Sequence, residues 1–137
     1  MNLTKEFPRS PRERMAGLAH IPRMIDKARA AGSNQLGEYI FPCPLDNILL
    51  EFLGVKPEVF QQKACDESEE LFTDWIGDRC QNRTLKEKEE INAEILNNAP
   101  NTPEKREAYQ KILSRVDASR KDITTWVELI DLEEGRL

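Results

Sequence analysis

The chain has 137 residues, of which 39% are hydrophobic and 33% charged, and its formal net charge at pH 7 is −5. This length fits one domain, residues 1–137, with a core large enough to need no disulfide or metal. The acidic balance argues against general nucleic-acid binding. The N-terminus has no apolar signal segment, and no apolar run is long enough for a membrane span. We therefore expect a soluble, cytoplasmic protein with neither nucleic acid nor membrane as partner.

The cysteines are three in number and widely spaced, at Cys43, Cys65 and Cys80. None of them forms a C-x-x-C pair, so the spacing predicts neither a disulfide framework nor a zinc site. We expect no metal and no cofactor.

Charge is unevenly distributed along the chain. Residues 1–29 contain seven Lys or Arg and three acidic residues, although the whole chain is acidic. A basic segment on an acidic body either folds back onto that body or offers a local site for an anion.

The hydrophobic pattern is helical nearly throughout and predicts an all-α domain of about seven short helices. Ser10-Pro11-Arg12-Glu13 is typical of a helix start, and an apolar stripe follows it from Met15 to Ala28. Pro22 disfavours helical angles at Ile21, so we expect a break at His20-Ile21 and a second helix from Pro22 to about Ala31.

Residues 38–44 are predicted to form an extended strap across the helices, because two prolines flank Cys43. Pro44 then begins a helix that ends before Gly54, which places Cys43 at its N-cap. Further helix starts are indicated at Pro57, Asp66, Thr84, Thr102 and Thr125.

His20 is the only histidine, so any acid–base step by an imidazole must use it. Its position beside the predicted helix break would let the side chain project into a cleft. The alternative is an ordinary histidine at the surface or its boundary, with a local hydrogen bond.

Cys43 is a candidate nucleophile or redox-responsive thiol, because the helix dipole at an N-cap would lower the pKa of its sulfur. His20 is the only imidazole that could serve as its base. The alternative is a small buried apolar residue between prolines.

The helix after Pro22 carries a basic face, on whose outer side Arg23, Lys27 and Ala30 align, while Asp26 can pair with Arg23 or Arg29. One interpretation is an anion site, with Arg23 engaging a phosphate or carboxylate in bidentate fashion. A second is a solvated helix face. The candidate ligand-binding residues are Arg23, Asp26, Lys27, Arg29 and Tyr39.

A third interpretation of the basic segment needs no ligand. In it, the segment docks on the acidic C-terminal residues Glu128, Asp131, Glu133 and Glu134. The large aromatic residues Trp75 and Trp126 are expected to pack in the core, or to form a helix–helix interface in a homo-oligomer.

Several motifs are distributed along nearly the whole chain: Phe7-Pro8-Arg9-Ser10-Pro11, residues 22–29, Gly37-Glu38-Tyr39, Cys43-Pro44-Leu45-Asp46, Phe52-Leu53-Gly54-Val55 and residues 122–136. Together they resemble a family of small bacterial proteins known as a domain of unknown function, DUF5069. The resemblance implies a bacterial, intracellular, stand-alone domain, with no activity, cofactor or site residues to carry over.

Three functions are left open by the sequence. The first is a non-catalytic binding module whose basic face takes a small anion or an acidic protein segment. The second is a thiol-based enzyme or redox sensor that uses Cys43 with His20. The third is a structural homo-oligomer. Whether the protein is an enzyme at all stays undecided.

Overall fold

The computed structural model describes all residues from Met1 to Leu137 and is mostly helical. The predicted all-α domain with seven helices is confirmed, with one small antiparallel sheet added to it. None of the helices combines the length and the apolarity that a membrane span requires. In chain order the elements are β1 (Arg14–Met15), β2 (Leu18–Ala19), α1 (Ile21–Gly32), α2 (Pro44–Leu53), α3 (Pro57–Asp66), α4 (Glu69–Arg79), α5 (Leu85–Leu96), α6 (Pro103–Asp117) and α7 (Trp126–Glu133).

A β-hairpin occupies the segment for which the sequence predicts a first helix, so that prediction is wrong. Strand β1 pairs with β2 through Arg14 opposite Ala19 and Met15 opposite Leu18. The two residues between the strands, Ala16 and Gly17, both have positive φ, at 53° and 79°. This is the φ pattern of a type I′ turn, which matches the twist of paired strands.

Asn92 on α5 supplies the tertiary contact that favours the hairpin. Its amide nitrogen donates to Gly17 O at 2.9 Å, and its oxygen accepts from Ala19 N at 2.8 Å. Because Asn92 is 1% exposed, these hydrogen bonds lie in the interior. They satisfy backbone groups that would otherwise be buried without partners.

The predicted break before Pro22 is confirmed. His20 is the N-cap of α1 and has a left-handed backbone, with φ 75°. Pro22 lies in the first turn of α1, where a backbone N–H would have no acceptor within the helix. The missing N–H of proline therefore costs no hydrogen bond. Left-handed angles are uncommon for a residue with a Cβ, so the surrounding contacts must hold His20 in this conformation.

The predicted capping boxes at Thr84 and Thr125 are confirmed. The predicted cap at Asp66 is wrong, because Asp66 is the last residue of α3. Ser68 caps α4 instead, and its hydroxyl accepts from Leu71 N at 3.3 Å.

The main core is a cluster of 16 buried residues that unites α1 with the helices packed around it. Phe60 of α3 and Phe72 of α4 meet edge to face at its centre, with ring centroids 5.1 Å apart. A smaller cluster joins α6 to α7 through Tyr109 and Leu129. Val127 of α7 belongs to the main cluster, so α7 connects the two clusters.

The strap predicted at residues 38–44 contains no strand and runs irregularly from the region after α1 to the start of α2. The peptide bond between Phe41 and Pro42 is cis. The Phe41 ring packs on Phe60, with 5.8 Å between ring centroids. This course brings both Tyr39 and Cys43 alongside α1.

Candidate functional site

The basic face of α1 is buried, contrary to the prediction of a solvated outer face. Arg23 and Lys27 are 4% and 3% exposed, and Ala30 is fully buried. Burying a charged side chain is unfavourable unless an opposite charge or hydrogen bonds compensate it. The partners of these cations therefore define the site.

Arg23 is paired with Glu134 near the C-terminus. The two side chains form a bidentate ion pair, with N–O distances of 2.9 and 2.8 Å. The hydroxyl of Tyr39 donates to the same carboxylate at 2.8 Å. Burial by itself would raise the pKa of Glu134, but these hydrogen bonds and the Arg23 charge hold it below its ordinary value.

Asp26 pairs with Arg9, so its predicted pairing with Arg23 or Arg29 is wrong. Its carboxylate accepts from Arg9 N at 2.8 Å and from the guanidinium at 3.0 and 3.1 Å. Arg29 donates instead to Ala64 O at 2.7 Å.

The N-terminal segment docks on the acidic C-terminal run, as the third interpretation of the charge split describes. Arg12 contacts Asp131 at 3.3 Å, and the Ser10 hydroxyl donates to the same carboxylate at 2.9 Å. Together with the ion pair between Arg23 and Glu134, these contacts pair much of the positive charge of the basic segment with acidic residues of the same chain.

A buried polar cluster lies where α1, the strap and the first turn of α2 meet; we call it the His20 cluster, and it comprises His20, Lys27, Cys43 and Asp46. His20 Nε2 lies 2.6 Å from Asp46 Oδ1. Lys27 Nζ lies 2.6 Å from Asp46 Oδ2 and donates to Cys43 Sγ at 3.3 Å. The Cys43 N–H also donates to Asp46 Oδ2, at 2.9 Å.

The protonation of this cluster follows from its contacts. Burial would raise the pKa of Asp46, but the hydrogen bond from His20 and the charge of Lys27 hold it well below its usual range. Asp46 is therefore ionised. Burial also lowers the pKa of His20, so the imidazole is neutral at pH 7. An ionised Asp46 can only accept, which puts the single ring proton on Nε2.

The other ring nitrogen of His20, Nδ1, is buried and has no hydrogen-bond partner. The imidazole is 1% exposed, so the prediction of a surface or boundary histidine is wrong. Buried polar atoms without partners are rare in folded proteins. A bare Nδ1 lone pair can accept a hydrogen bond or take up a proton.

Cys43 is the N-cap of α2, as predicted, but the expected effect on its thiol is wrong. Burial raises the pKa of Cys43, and the negative charge of Asp46 adds to this. The nearby Lys27 ammonium lowers the pKa by less. Cys43 is therefore a neutral thiol at pH 7.

The His20 cluster borders a cavity of about 940 Å³ between α1, the strap, α7 and the N-terminal segment. His20, Arg23, Lys27 and Cys43 form its polar wall. Its apolar wall comes largely from Leu3, Phe7, Ile40, Ile112, Trp126, Leu129 and Ile130.

Both signs of charge line this cavity. Of the predicted ligand-binding residues it contains Arg23, Lys27 and Tyr39, but neither Asp26 nor Arg29. The charges do not add up to a positive field that would select an anion. The lining residues with charged side chains are Lys5, Arg23 and Lys27 on the basic side, and Glu6, Glu38, Glu133 and Glu134 on the acidic side.

One ring nitrogen of His20, the sulfur of Cys43 and one oxygen of Asp46 lie within 4.8 Å of one another. These atom types can ligate a transition metal. The Lys27 ammonium, however, already contacts both the carboxylate and the sulfur. This ammonium occupies the space, and supplies the positive charge, that a metal ion would have between these ligands. The cluster therefore does not fit a bound metal ion.

The remaining candidates lie elsewhere. Cys65 is exposed and Cys80 is buried in the core. Trp75 packs on Phe72 and Trp126 on Tyr109, each with centroids within 5.4 Å. The homo-oligomer stays a prediction.

Asp46 was not among the predicted site residues, and Glu134 was predicted only as part of the acidic run on which the basic segment could dock. The one local pattern that includes Asp46 is its position three residues after the N-cap. That position indicates a helix start and does not indicate a contact with a histidine. Glu134 lies 111 residues from Arg23, and no local pattern connects them.

Comparison with known proteins gives a single positive result. No curated protein is significantly similar to this chain. The model of the family described as domain of unknown function (DUF5069) matches residues 5–136, which is nearly the whole length. This match confirms the resemblance inferred from the motifs, and the chain belongs to the DUF5069 family.

Proposed function

We propose that this protein is a binding module that takes up a small molecule in the cavity beside α1. The observation that carries the proposal is His20, which lines that cavity and whose buried Nδ1 has no hydrogen-bond partner. A ligand that donates a hydrogen bond to Nδ1 would supply the missing partner. The free energy of that hydrogen bond would then contribute to binding.

The form of the cavity supports the same function. Sites for small molecules are typically concave spaces of about 300–1,000 Å³, mostly apolar, with a few convergent polar groups. The volume of about 940 Å³ falls within this range. Phe7 and Ile40, which are 54% and 69% exposed, lie among its lining residues and offer apolar contact for a ligand.

The chemistry of the walls favours a neutral molecule with an apolar body and a polar group that donates hydrogen bonds. Arg23 and Lys27 are both occupied by carboxylates of this chain. An anionic ligand would have to displace Glu134 or Asp46 or share their cations. The small anion and the acidic partner segment remain alternatives, and the same experiment tests the small anion.

The test is a thermal-shift and fluorescence screen of the intact chain. The panel contains phosphorylated metabolites, carboxylated metabolites and neutral amides and esters. In the variant Trp75→Phe the one remaining tryptophan, Trp126, lies in the cavity wall and reports binding directly. At a ligand concentration a hundred times Kd we expect about 2.7 kcal/mol of stabilisation.

Two substitutions on α6 locate the binding. Ile112→Trp places a larger side chain in the cavity wall, whereas Val116→Trp lies one turn later and outside the lining. Binding should weaken in the first variant and persist in the second. The proposal fails if no compound in the panel shifts the wild-type protein, or if both variants bind like wild type. Preferential binding of phosphorylated compounds, lost in Arg23→Met, would identify an anion site instead.

A further inference from the structure

We propose that residues 1–7, which we call the lid, swing about Pro8 to admit a ligand to the cavity and close again over it. This inference rests on the proposed function, because a lid has a role only if a ligand enters the cavity. It adds the route by which the ligand enters.

The lid forms one side of the cavity. Residues 3–7 all belong to the cavity lining. Within the lid only Leu3 is buried, whereas residues 4–7 are exposed. The ring of Phe7 therefore borders the cavity while most of its surface still contacts water. A ligand with an apolar body would cover that surface, so a bound ligand favours the closed lid.

Few contacts attach the lid to the rest of the protein. Its one hydrogen bond to another part of the chain runs from Leu3 N to Gln35 O, at 2.9 Å. The other hydrogen bonds of the lid stay inside it, because residues 4–6 all donate to Asn2. A segment with one buried side chain and one outward hydrogen bond opens at a low free energy. Its internal turn lets it move as one unit.

The contacts change abruptly at Pro8, which is buried. Pro8 O accepts from the Arg136 guanidinium at 2.5 Å, and Arg9 N donates to the Asp26 carboxylate at 2.8 Å. Hydrogen bonds to charged groups are stronger than those between neutral groups. The chain is therefore fixed from Pro8 onward and loosely held before it, which places the hinge at this boundary.

Gly37 is the point on which the closed lid rests. Its φ is 60°, and a Cβ at this position would lie 3.1 Å from Leu3 O. Glycine permits both the left-handed backbone and the close approach of the lid. A methyl group at position 37 would push Leu3 away and favour the open lid, which gives a variant for the test.

Amide hydrogen exchange, followed by NMR on the intact wild-type chain, tests the opening itself. Opening about Pro8 breaks the hydrogen bond of Leu3 N and leaves that of Arg9 N intact. The Leu3 amide should therefore be protected at least about tenfold less than the Arg9 amide. Equal protection factors at the two amides would overturn the inference.

Access to the cavity is tested with acrylamide, a small neutral amide that quenches tryptophan fluorescence. In the background Trp75→Phe the one remaining tryptophan, Trp126, lies in the cavity wall. Adding Gly37→Ala should raise the quenching constant of Trp126 by about twofold or more, because the open lid becomes more populated.

Gly54→Ala is the matched control for this variant. Gly54 has φ 66°, so an alanine there brings the same backbone strain, and its Cβ would meet only the end of the Arg79 side chain, at 3.3 Å. Quenching of Trp126 should not change in this control. Equal quenching constants in the two variants would overturn the inference.

If Gly37→Ala does not fold, Leu3→Ser takes its place, because it weakens the one buried contact of the lid. Its control is Leu85→Ser, at a side chain that is 75% exposed. The same increase in quenching is expected for Leu3→Ser alone, and no difference between these two variants would again contradict the lid.

The two proposals fail by different measurements. Hydrogen exchange and quenching report the lid without any compound of the ligand screen. They can therefore overturn the lid while the screen still supports the proposed function. A screen in which no compound binds overturns the proposed function and, with it, the role of the lid in ligand entry, whatever the exchange rates are.

Discussion

The Nε2 atom of His20 lies 2.6 Å from Oδ1 of Asp46, and both side chains are almost completely buried. Asp46 also accepts from Lys27, so one carboxylate balances an ammonium and orients an imidazole. The opposite nitrogen of the ring has no partner. His20 is therefore held firmly through Nε2, while the buried Nδ1 keeps an unused lone pair that can accept a hydrogen bond.

We expect the stability of the protein to fall as the pH decreases from 7 to 5. Burial lowers the pKa of His20 from its ordinary 6.5, so the unfolded chain takes up a proton that the folded chain does not. The free energy of unfolding therefore rises with pH through this window, by at most about 1.4 kcal/mol per unit from one group, and levels off above the unfolded pKa.

Urea denaturation at pH 5, 6, 7 and 8 measures this dependence, with His20→Gln as control because that variant lacks the titrating group. Since His20 is the only histidine, its ring resonances can also be followed individually by NMR. A ring that titrates normally near pH 6.5 in the folded protein would contradict the prediction.

Arg23→Met should destabilise the fold by about 3 kcal/mol, because Glu134 then keeps only the partly exposed Arg136, at 2.6 Å, as a cationic partner. The two side chains are 5% and 6% exposed. The double variant Arg23→Met/Glu134→Leu should recover most of that loss, since no unpaired charge then remains.

The matched control for this pair is Lys86→Met. Lys86 contacts Glu90 at 4.0 Å on the surface, where the side chains are 87% and 65% exposed. Its loss should change the free energy of unfolding by less than about 0.5 kcal/mol. Equal effects of the two single substitutions would show that the burial of Arg23 has no energetic consequence.

Asn92→Ala should cost about 2 kcal/mol, because the buried N–H of Ala19 loses its acceptor. Guanidinium denaturation measures the loss. The control is Asn101→Ala, at an exposed position before α6. If both variants are as stable as wild type, Asn92 does not hold the hairpin in place.

Ala16→Gly should stabilise the protein slightly, by about 0.5–1 kcal/mol, since Ala16 has φ 53° and glycine adopts such angles without strain. Ala93→Gly, at an exposed position within α5, should have the opposite sign and cost about 1 kcal/mol. Thermal denaturation compares the two changes. The same sign for both would refute the strain at Ala16.

Elements specified by short-range signals were predictable. Pro22 marks the start of α1, and the Thr84 and Thr125 capping boxes mark the starts of α5 and α7. In each case the residues that satisfy the end of the helix lie within three or four positions of it, so their pattern can be recognised without knowledge of the fold.

The hairpin shows where such signals fail. Ser10 and Glu13 form the expected local turn, with Glu13 N donating to Ser10 O at 3.1 Å, but no helix continues from it. The contacts that decide the outcome come from Asn92, 73 residues beyond Ala19. Tertiary hydrogen bonds of this kind override a local helical preference.

The sequence by itself determined that the domain is helical and where most helices begin. It also determined that a basic segment precedes an acidic remainder along the chain. These properties depend on neighbouring residues or on composition. Only the tertiary structure decided that Arg23 meets Glu134, that His20, Lys27, Cys43 and Asp46 share one buried cluster, and that a cavity opens beside them. Such pairings join residues far apart in the chain, and they form because each charge taken out of water needs a specific partner.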